Sequence, residues 1–352
     1  MGAQNCAPNP ETHPRRLFFM SQILDGEDRV PVLRPSLTKK PLCFSRRGDR
    51  RAPLREAAAR LVCLVEPNLL SHFQPSDRTF KPDILSKLLI IEISRCSASE
   101  ETPLKFAILS DIHGNLWALA AVLEDAKRRG ITRFINLGDI LYGPLNPLET
   151  YDLLKTVDAV TIQGNEDREV YEFYDHQSEA HPTLTYMLEE LGEEPVEWLR
   201  SLPKTIVVAE AIFACHGVPS DDRVYLLEDV ASGLPIVRED AVIAHHLEDV
   251  NYPVVLCGHS HIARVVQLSS GQLIINPGSV GVPAYDDDVP NYHAMQNHSP
   301  LASYAVLEKQ DSRWQVDLLK IPYDVDSAVE QAQRQGRADW ADWIKTGRVA
   351  TV

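Results

Sequence analysis

Five short apolar runs in this chain each stop at a polar residue able to bind a metal, with glycine beside most of them. KFAILS (105–110) ends at Asp111 and His113, and RFINL (133–137) ends at Gly138-Asp139. VDAVTIQ (157–163) ends at Gly164-Asn165, AIFAC (211–215) at His216-Gly217, and PVVLC (253–257) at Gly258, His259 and His261. Short apolar runs bounded by glycine read as buried strands. Where strands alternate with helices in an open α/β sheet, functional residues collect beyond the carboxyl ends of the strands. The seven polar side chains are therefore expected to meet at one edge, although they are spread from residue 111 to residue 261.

The segments between the runs support an α/β chain. Leu116, Leu119, Ala120 and Leu123 recur at helical spacing and Gly130 closes the helix. Residues 166–201 are acidic and aromatic, and predict a helical insert with helices near 166–175, 181–191 and 195–201. TIVVA (205–209), AIFAC (211–215), PVVLC (253–257), ARVVQL (263–268), QLIIN (272–276), SYAVLE (303–308) and WQVDLLK (314–320) follow, and many are short and hairpin-like, which predicts a second, mixed or antiparallel sheet. Residues 325–347 read as helix, with Trp340 and Trp343 expected to pack rather than bind.

Charge divides the chain. Residues 1–101 carry 16 Lys and Arg against 12 Asp and Glu, whereas the remainder carries 19 against 38. The first part is rich in Pro and Arg with little periodicity, so it is expected to be a poorly ordered extension to a domain at 102–352. The net charge of −15 argues against a general nucleic-acid binder, whose partner's phosphates need Lys and Arg. It leaves room for a small phosphorylated substrate or a nucleotide, because bound cations can supply the positive charge. None of the six cysteines forms a C-x-x-C pair, and Cys215 and Cys257 read as buried thiols. That usage favours a reducing, cytoplasmic setting. No apolar run reaches the length of a membrane span, so no membrane association is expected.

The residue types at the strand ends suit divalent transition metals. Neutral imidazole and carboxylate bind Mn, Fe, Zn or Ni, and the lack of nearby thiolate argues against a cysteine-type zinc site. The ordered series DIHGN, GD, GN, HG and GHSH resembles the calcineurin-like metallophosphoesterase superfamily, and NPGSVG (276–281) resembles its small bacterial and archaeal phosphodiesterase branch. The resemblance covers residues 105–320 and implies a two-sheet β-sandwich flanked by helices in four layers. It implies two divalent ions, with manganese expected and iron, zinc or nickel as alternatives. Asp111, His113, Asp139 and His261 would hold the first ion, and Asp139, Asn165, His216 and His259 the second. The implied reaction is hydrolysis of a phosphodiester, or a phosphomonoester, by metal-activated hydroxide.

The sequence departs from many relatives where His follows the Asn, for here the triplet is Gly164-Asn165-Glu166. Glu166 is a candidate proton donor in its place, as is a metal-bound water, although a helix-starting or salt-bridged carboxylate is the commoner role for such a residue. Asn115 is a candidate for the phosphate region, or else a helix N-cap. Arg168 and Arg264 are the basic residues nearest the motifs and are candidates for phosphate contact. His245-His246 is expected to pack or to lie at the surface, and Asp286-Asp287-Asp288 to be a solvated loop. Three other readings stand beside the diesterase: a phosphomonoesterase, a nuclease or nucleotide pyrophosphatase, and a non-catalytic scaffold of the same fold. Substrate choice is expected to reside in 166–201 and 282–300. Oligomeric state is left open.

Overall fold

In the computed structural model, residues 104–176 and 182–350 are described. The extension at 1–101 lies outside the described residues. In chain order the strands are β1 (Lys105–Leu109), β2 (Arg133–Asn136), β3 (Asp158–Thr161), β4 (Thr205–Val208), β5 (Ile212–Cys215), β6 (Glu228–Asp229) and β7 (Ile236–Val237). They continue with β8 (Val254–Leu256), β9 (Arg264–Gln267), β10 (Leu273–Asn276), β11 (Ala284–Asp287), β12 (His293–Gln296), β13 (Ala302–Gln310) and β14 (Arg313–Ile321). The helices are α1 (Leu116–Arg128), α2 (Pro147–Leu154), α3 (Asn165–His176), α4 (Pro182–Leu191), α5 (Glu193–Ser201), α6 (Asp240–His246), α7 (Val325–Arg334) and α8 (Ala338–Thr346).

Two five-stranded sheets carry the fold, in the orders β14-β13-β1-β2-β3 and β4-β5-β8-β10-β9. Successive side chains on a strand point to opposite faces, and β1 is apolar on both. Phe106 and Ile108 turn inward to a core shared with Ile212, Ala214, Val254 and Leu256 of the second sheet. Ala107 and Leu109 turn outward to a second core shared with Leu119, Val122 and Ala126 of α1. The outer face of the second sheet, with Cys215, Val255 and Ile274, is covered by Ile243 and Leu247 at α6. Helix, sheet, sheet and helix thus stack as four layers, because strands apolar on both faces must be covered on both.

One topological expectation is corrected. β13 and β14, placed by their pattern with the second sheet, belong to the first, where β13 pairs antiparallel with β1. β4 and β5 do form the expected hairpin in the second sheet.

Strand direction sets up the site. β1, β2 and β3 run parallel, as do β5, β8 and β10, so each group ends together. The C-terminal segment is two helices, broken at Gly336 where φ is 73°. Trp340, Ala341 and Ile344 of α8 pack with Leu145 and Val282, residues of the loops beyond β2 and β10. α8 is thereby fixed beside the strand ends. Among the described residues, no helix is long and apolar enough to cross a membrane.

Ile108 is fully buried between the sheets, whereas Leu318 on β14 is 40% exposed. Ile108→Ala is expected to cost about 2–5 kcal/mol and Leu318→Ala about 0.5 kcal/mol or less. Urea unfolding midpoints check the contrast, and equal losses would contradict the sandwich.

Candidate functional site

Five of the seven candidate ligands sit in a backbone conformation that side-chain-bearing residues avoid. Asp111, His113, Asp139, His259 and His261 have φ values of 55°, 52°, 52°, 66° and 59°. Such strain persists only where surrounding structure imposes it, and it collects at functional sites. Here the loops are stitched together. The amides of Asp111 and His113 donate to Gly138 O and Asp139 O, and Gly258 N donates to His216 O. The Ser279 hydroxyl donates to Asp111 O, while Asn276 Nδ2 donates to Gly258 O. Gly164 leaves no room for a side chain, since a Cβ there would fall on Asp139 Oδ1.

Each of the four histidines is oriented by a backbone carbonyl. His113 Nδ1 lies 3.1 Å from Tyr142 O, His216 Nδ1 2.7 Å from Leu137 O, and His261 Nδ1 2.6 Å from Val282 O. His259 is turned the other way, with Nε2 3.0 Å from Arg223 O. A carbonyl oxygen only accepts, so the nitrogen facing it carries the proton. In a neutral ring, the other nitrogen then presents a lone pair. Fixing metal-binding histidines in this way is a recurrent device.

The lone-pair side of the cluster is crowded with acceptors. His113 Nε2 and His261 Nε2 are 3.2 Å apart. His261 Nε2 is 3.3 Å from Asp111 Oδ1, and His216 Nε2 is 3.1 Å from Asp139 Oδ2. Both carboxylate oxygens of Asp111, Asn165 Oδ1 and His216 Nε2 are buried without a hydrogen-bond partner. Possible ligand atoms of Asp111, His113 and His261 lie within 4.8 Å of one another, and so do those of Asp139, His216 and His259. Buried, unpaired acceptors converging from nitrogen and oxygen donors fit divalent cations. The two buried cysteines are not donors, for burial pushes the Cys215 thiol up to about 12.

Protons compete for the same positions. Burial disfavours a charged His216, but the adjacent Asp139 outweighs this and raises it to about 10. Burial likewise opposes the charge on His113, yet Glu166 beside it raises it to about 9. Burial, and then the charge of His216, push His259 down to about 4. Burial raises Glu166 to about 7 against the pull of His113, whose Nδ1 is 3.0 Å from Glu166 Oε2.

A cleft of about 260 Å³ opens over the cluster and reaches His113, Asp139, Asn165, Glu166, His259 and His261. Among the three catalytic candidates, Glu166 faces this cleft and two do not. The Asn115 amide caps α1 by accepting from Ala118 N and donates to Gly281 O, so its hydrogen-bonding groups are engaged in structure. Arg168 forms a two-pronged pair with Asp222 and lines a separate hollow with Lys204 and His216. Arg264 is tied to buried Glu228. His245 is exposed, as expected. Asp286 and Asp287 are not a free loop but part of β11 at the cleft, and Trp340 and Trp343 line it as well as pack.

Two further residues organise the site without having stood out in the sequence. The buried Asp167 carboxylate accepts from the amides of Asp139, Ile140 and Gly164 at 2.8, 2.9 and 2.9 Å, holding two candidate-ligand loops together. As an acid in the first turn of α3 it looked like an ordinary helix-starting residue. Tyr285 donates its hydroxyl to His259 O at 2.9 Å, and its oxygen lies 2.9 Å from the hydroxyl of Tyr225, whose ring stacks on His259 with centroids 4.6 Å apart.

The fold and cluster define a class of four-layer α/β sandwiches that gather His, Asp and Asn at parallel strand ends. Residues 104–308 match the calcineurin-like phosphoesterase superfamily domain, more than half of the chain, and the protein belongs to that superfamily. It is 27% identical over 260 residues to uncharacterized protein MJ0912 of Methanocaldococcus jannaschii, covering 66% of this chain and 94% of that one. It is 26% identical over 223 residues to phosphodiesterase YfcE of Escherichia coli K12, covering 58% and 98%. The crystal structure of a metallophosphoesterase from Sphaerobacter thermophilus superposes with a TM-score of 0.55 at 25% identity, covering 70% of this chain and all of that one.

Imidazole must be neutral to bind a metal, so metal uptake at pH 7 is expected to expel protons held by His113 and His216. Apparent metal affinity then rises with pH through about 9 and on towards about 10, where His113 and then His216 lose their protons unaided. Calorimetry of Mn²⁺ binding in buffers of different ionisation enthalpy reads the number released. A value of zero would contradict the assignment.

Proposed function

We propose that this protein is a dinuclear-metal-dependent phosphodiesterase, with manganese as the working ion. The observation that carries the reading is the convergence of four carbonyl-anchored imidazoles on buried, unpartnered Asp and Asn oxygens under an open cleft. Asp111, His113, Asp139 and His261 would hold one ion and Asp139, Asn165, His216 and His259 the other, with Asp139 shared. The name of the relative YfcE supports diester over monoester as the substrate class. When bound, such a pair supplies Lewis-acid stabilisation of phosphoryl oxygens and makes a water acidic enough to attack at neutral pH.

The remaining work falls to side chains and backbone of the chain. The four carbonyl bonds and the Asp167 bracket keep the ligands preorganised, so little reorganisation is needed as charge develops on the phosphoryl group. Glu166 lines the cleft next to His113, where a departing alkoxide would need a proton. Its amide nitrogen donates to Asp139 Oδ1 at 2.9 Å, which fixes the start of α3 against the shared ligand. Glu166 is therefore assigned as the leaving-group acid.

Asp139→Asn is expected to lower metal content at both positions and to cut hydrolysis of bis-p-nitrophenyl phosphate by about 10³-fold or more, read by elemental analysis and initial rates. Retention of two ions and wild-type turnover would defeat the ligand scheme. Faster cleavage of p-nitrophenyl phosphate than of the diester under Mn²⁺ would instead assign a monoesterase.

Glu166→Gln separates the acid from the metal. The variant should keep its metal and lose about 10²-fold or more on an alkyl diester, but much less on a p-nitrophenyl ester, whose leaving group departs without protonation. Equal losses on both esters would remove Glu166 from the role.

A further inference from the structure

The cleft has two aromatic flanks, and both begin at candidate metal ligands. Tyr285 meets His261 edge-on with ring centroids 4.6 Å apart. On the other side Trp340 meets His113 edge-on at 5.7 Å, and Trp343 continues outward at 6.1 Å from Trp340. Trp340 is buried against the backbone of Gly143, which leaves no space for a Cβ, so it is the fixed base of this flank. Trp343 is only partly buried and faces the cleft. Arg337 braces the flank, with its guanidinium 5.4 Å over the Trp340 ring, Nε and Nη2 on Asp339 and Nη1 on Thr183. With Asp339 opposing its charge, Arg337 is poorly suited to bind an anion. Both tryptophans come from α8, beyond residue 308 where the superfamily match ends.

The far rim has the opposite character. Asp286 and Asp287 reach the cleft from β11. Ionised carboxylates only accept hydrogen bonds. A second phosphate there would be repelled, and a hydrocarbon chain would strip water from two charges without replacing it. The chemistry that fits is a neutral, planar ring for Trp343, with hydroxyl or amine donors for the acidic rim, joined to one phosphoryl group at the cluster.

We propose that α8 and β11 form a nucleoside subsite, in which Trp343 stacks a nucleobase and Asp287, on the same face of β11 as Tyr285, accepts hydrogen bonds from its sugar or ring donors. The subsite rests on the phosphodiesterase reading for the place of the phosphate, and it narrows the substrate class to esters of nucleoside monophosphates. Stacking of one base on one aromatic side chain is worth about tenfold or more in affinity.

Adenosine 5′-monophosphate and ribose 5-phosphate share sugar and phosphate and differ in the base. Titrated calorimetrically into the Mn²⁺-loaded full chain, the nucleotide is expected to bind about tenfold tighter. Trp343→Ala should bring that ratio close to one and Trp343→Phe should restore most of it, with metal content unchanged in both. Equal affinities in the wild-type protein, or a preference that survives Trp343→Ala, would overturn the subsite. Should Trp343→Ala fail to fold, the wild-type ratio and Trp343→Phe still decide. The binding pattern without hydrolysis of any diester would support the subsite and sink the enzymatic reading. Diester hydrolysis with equal affinities would do the reverse.

Discussion

Everything at the strand ends depends on hydrogen bonds between imidazoles and main-chain carbonyls. Without them four histidine rings would be free to rotate and to choose either tautomer. With them, three rings present Nε2 and one, His259, presents Nδ1. The carbonyls belong to Tyr142, Leu137, Val282 and Arg223, in loops of different parts of the chain. The surroundings of the candidate site are thus the meeting of those loops, and the tertiary structure itself selects which ring nitrogens face the cluster.

The same loops show what that meeting costs. Asp111, His113, Asp139, His259 and His261 lie in left-handed backbone, in loops cross-linked by amides such as those of Asp111 and His113, which donate to Gly138 O and Asp139 O. Packing of the two sheets supplies the stability that such strain requires. Asp167 links the two levels, for one carboxylate takes three amides from two loops that each end in a candidate ligand. A buried acid so fully engaged by the backbone serves shape, which is why nothing in its sequence setting distinguished it.

Much of this was legible in the residues alone. β1, β2, β5 and β8 are apolar runs that stop at a polar residue, and period and punctuation together reveal both the strand and its end. α1 was equally plain, having a helical repeat and Gly130 at its close. What stayed hidden depends on distance in the sequence. The pattern of β13 fits either sheet, and only three-dimensional packing pairs Lys105 with Glu308. Trp340 is apolar enough to be core and in fact is both core and cleft wall. Arg168 sits next to the motif, yet Asp222, remote in sequence, draws it elsewhere. Asn115 carries a cap signal that the structure confirms, and its amide nitrogen is tied to Gly281 O.

The pairing of β1 with β13 also bears on how the chain is made. β1 emerges from the ribosome early, but its antiparallel neighbour follows only some two hundred residues later. At about 5–20 residues per second, that strand waits on the order of 10–40 seconds with one edge uncovered. An apolar, unpaired edge is the template on which chains associate wrongly. Synthesis of this protein therefore contains a window in which nascent β1 is exposed to its neighbours, and its yield in a cell should be sensitive to translation speed and to chaperones that shield strand edges.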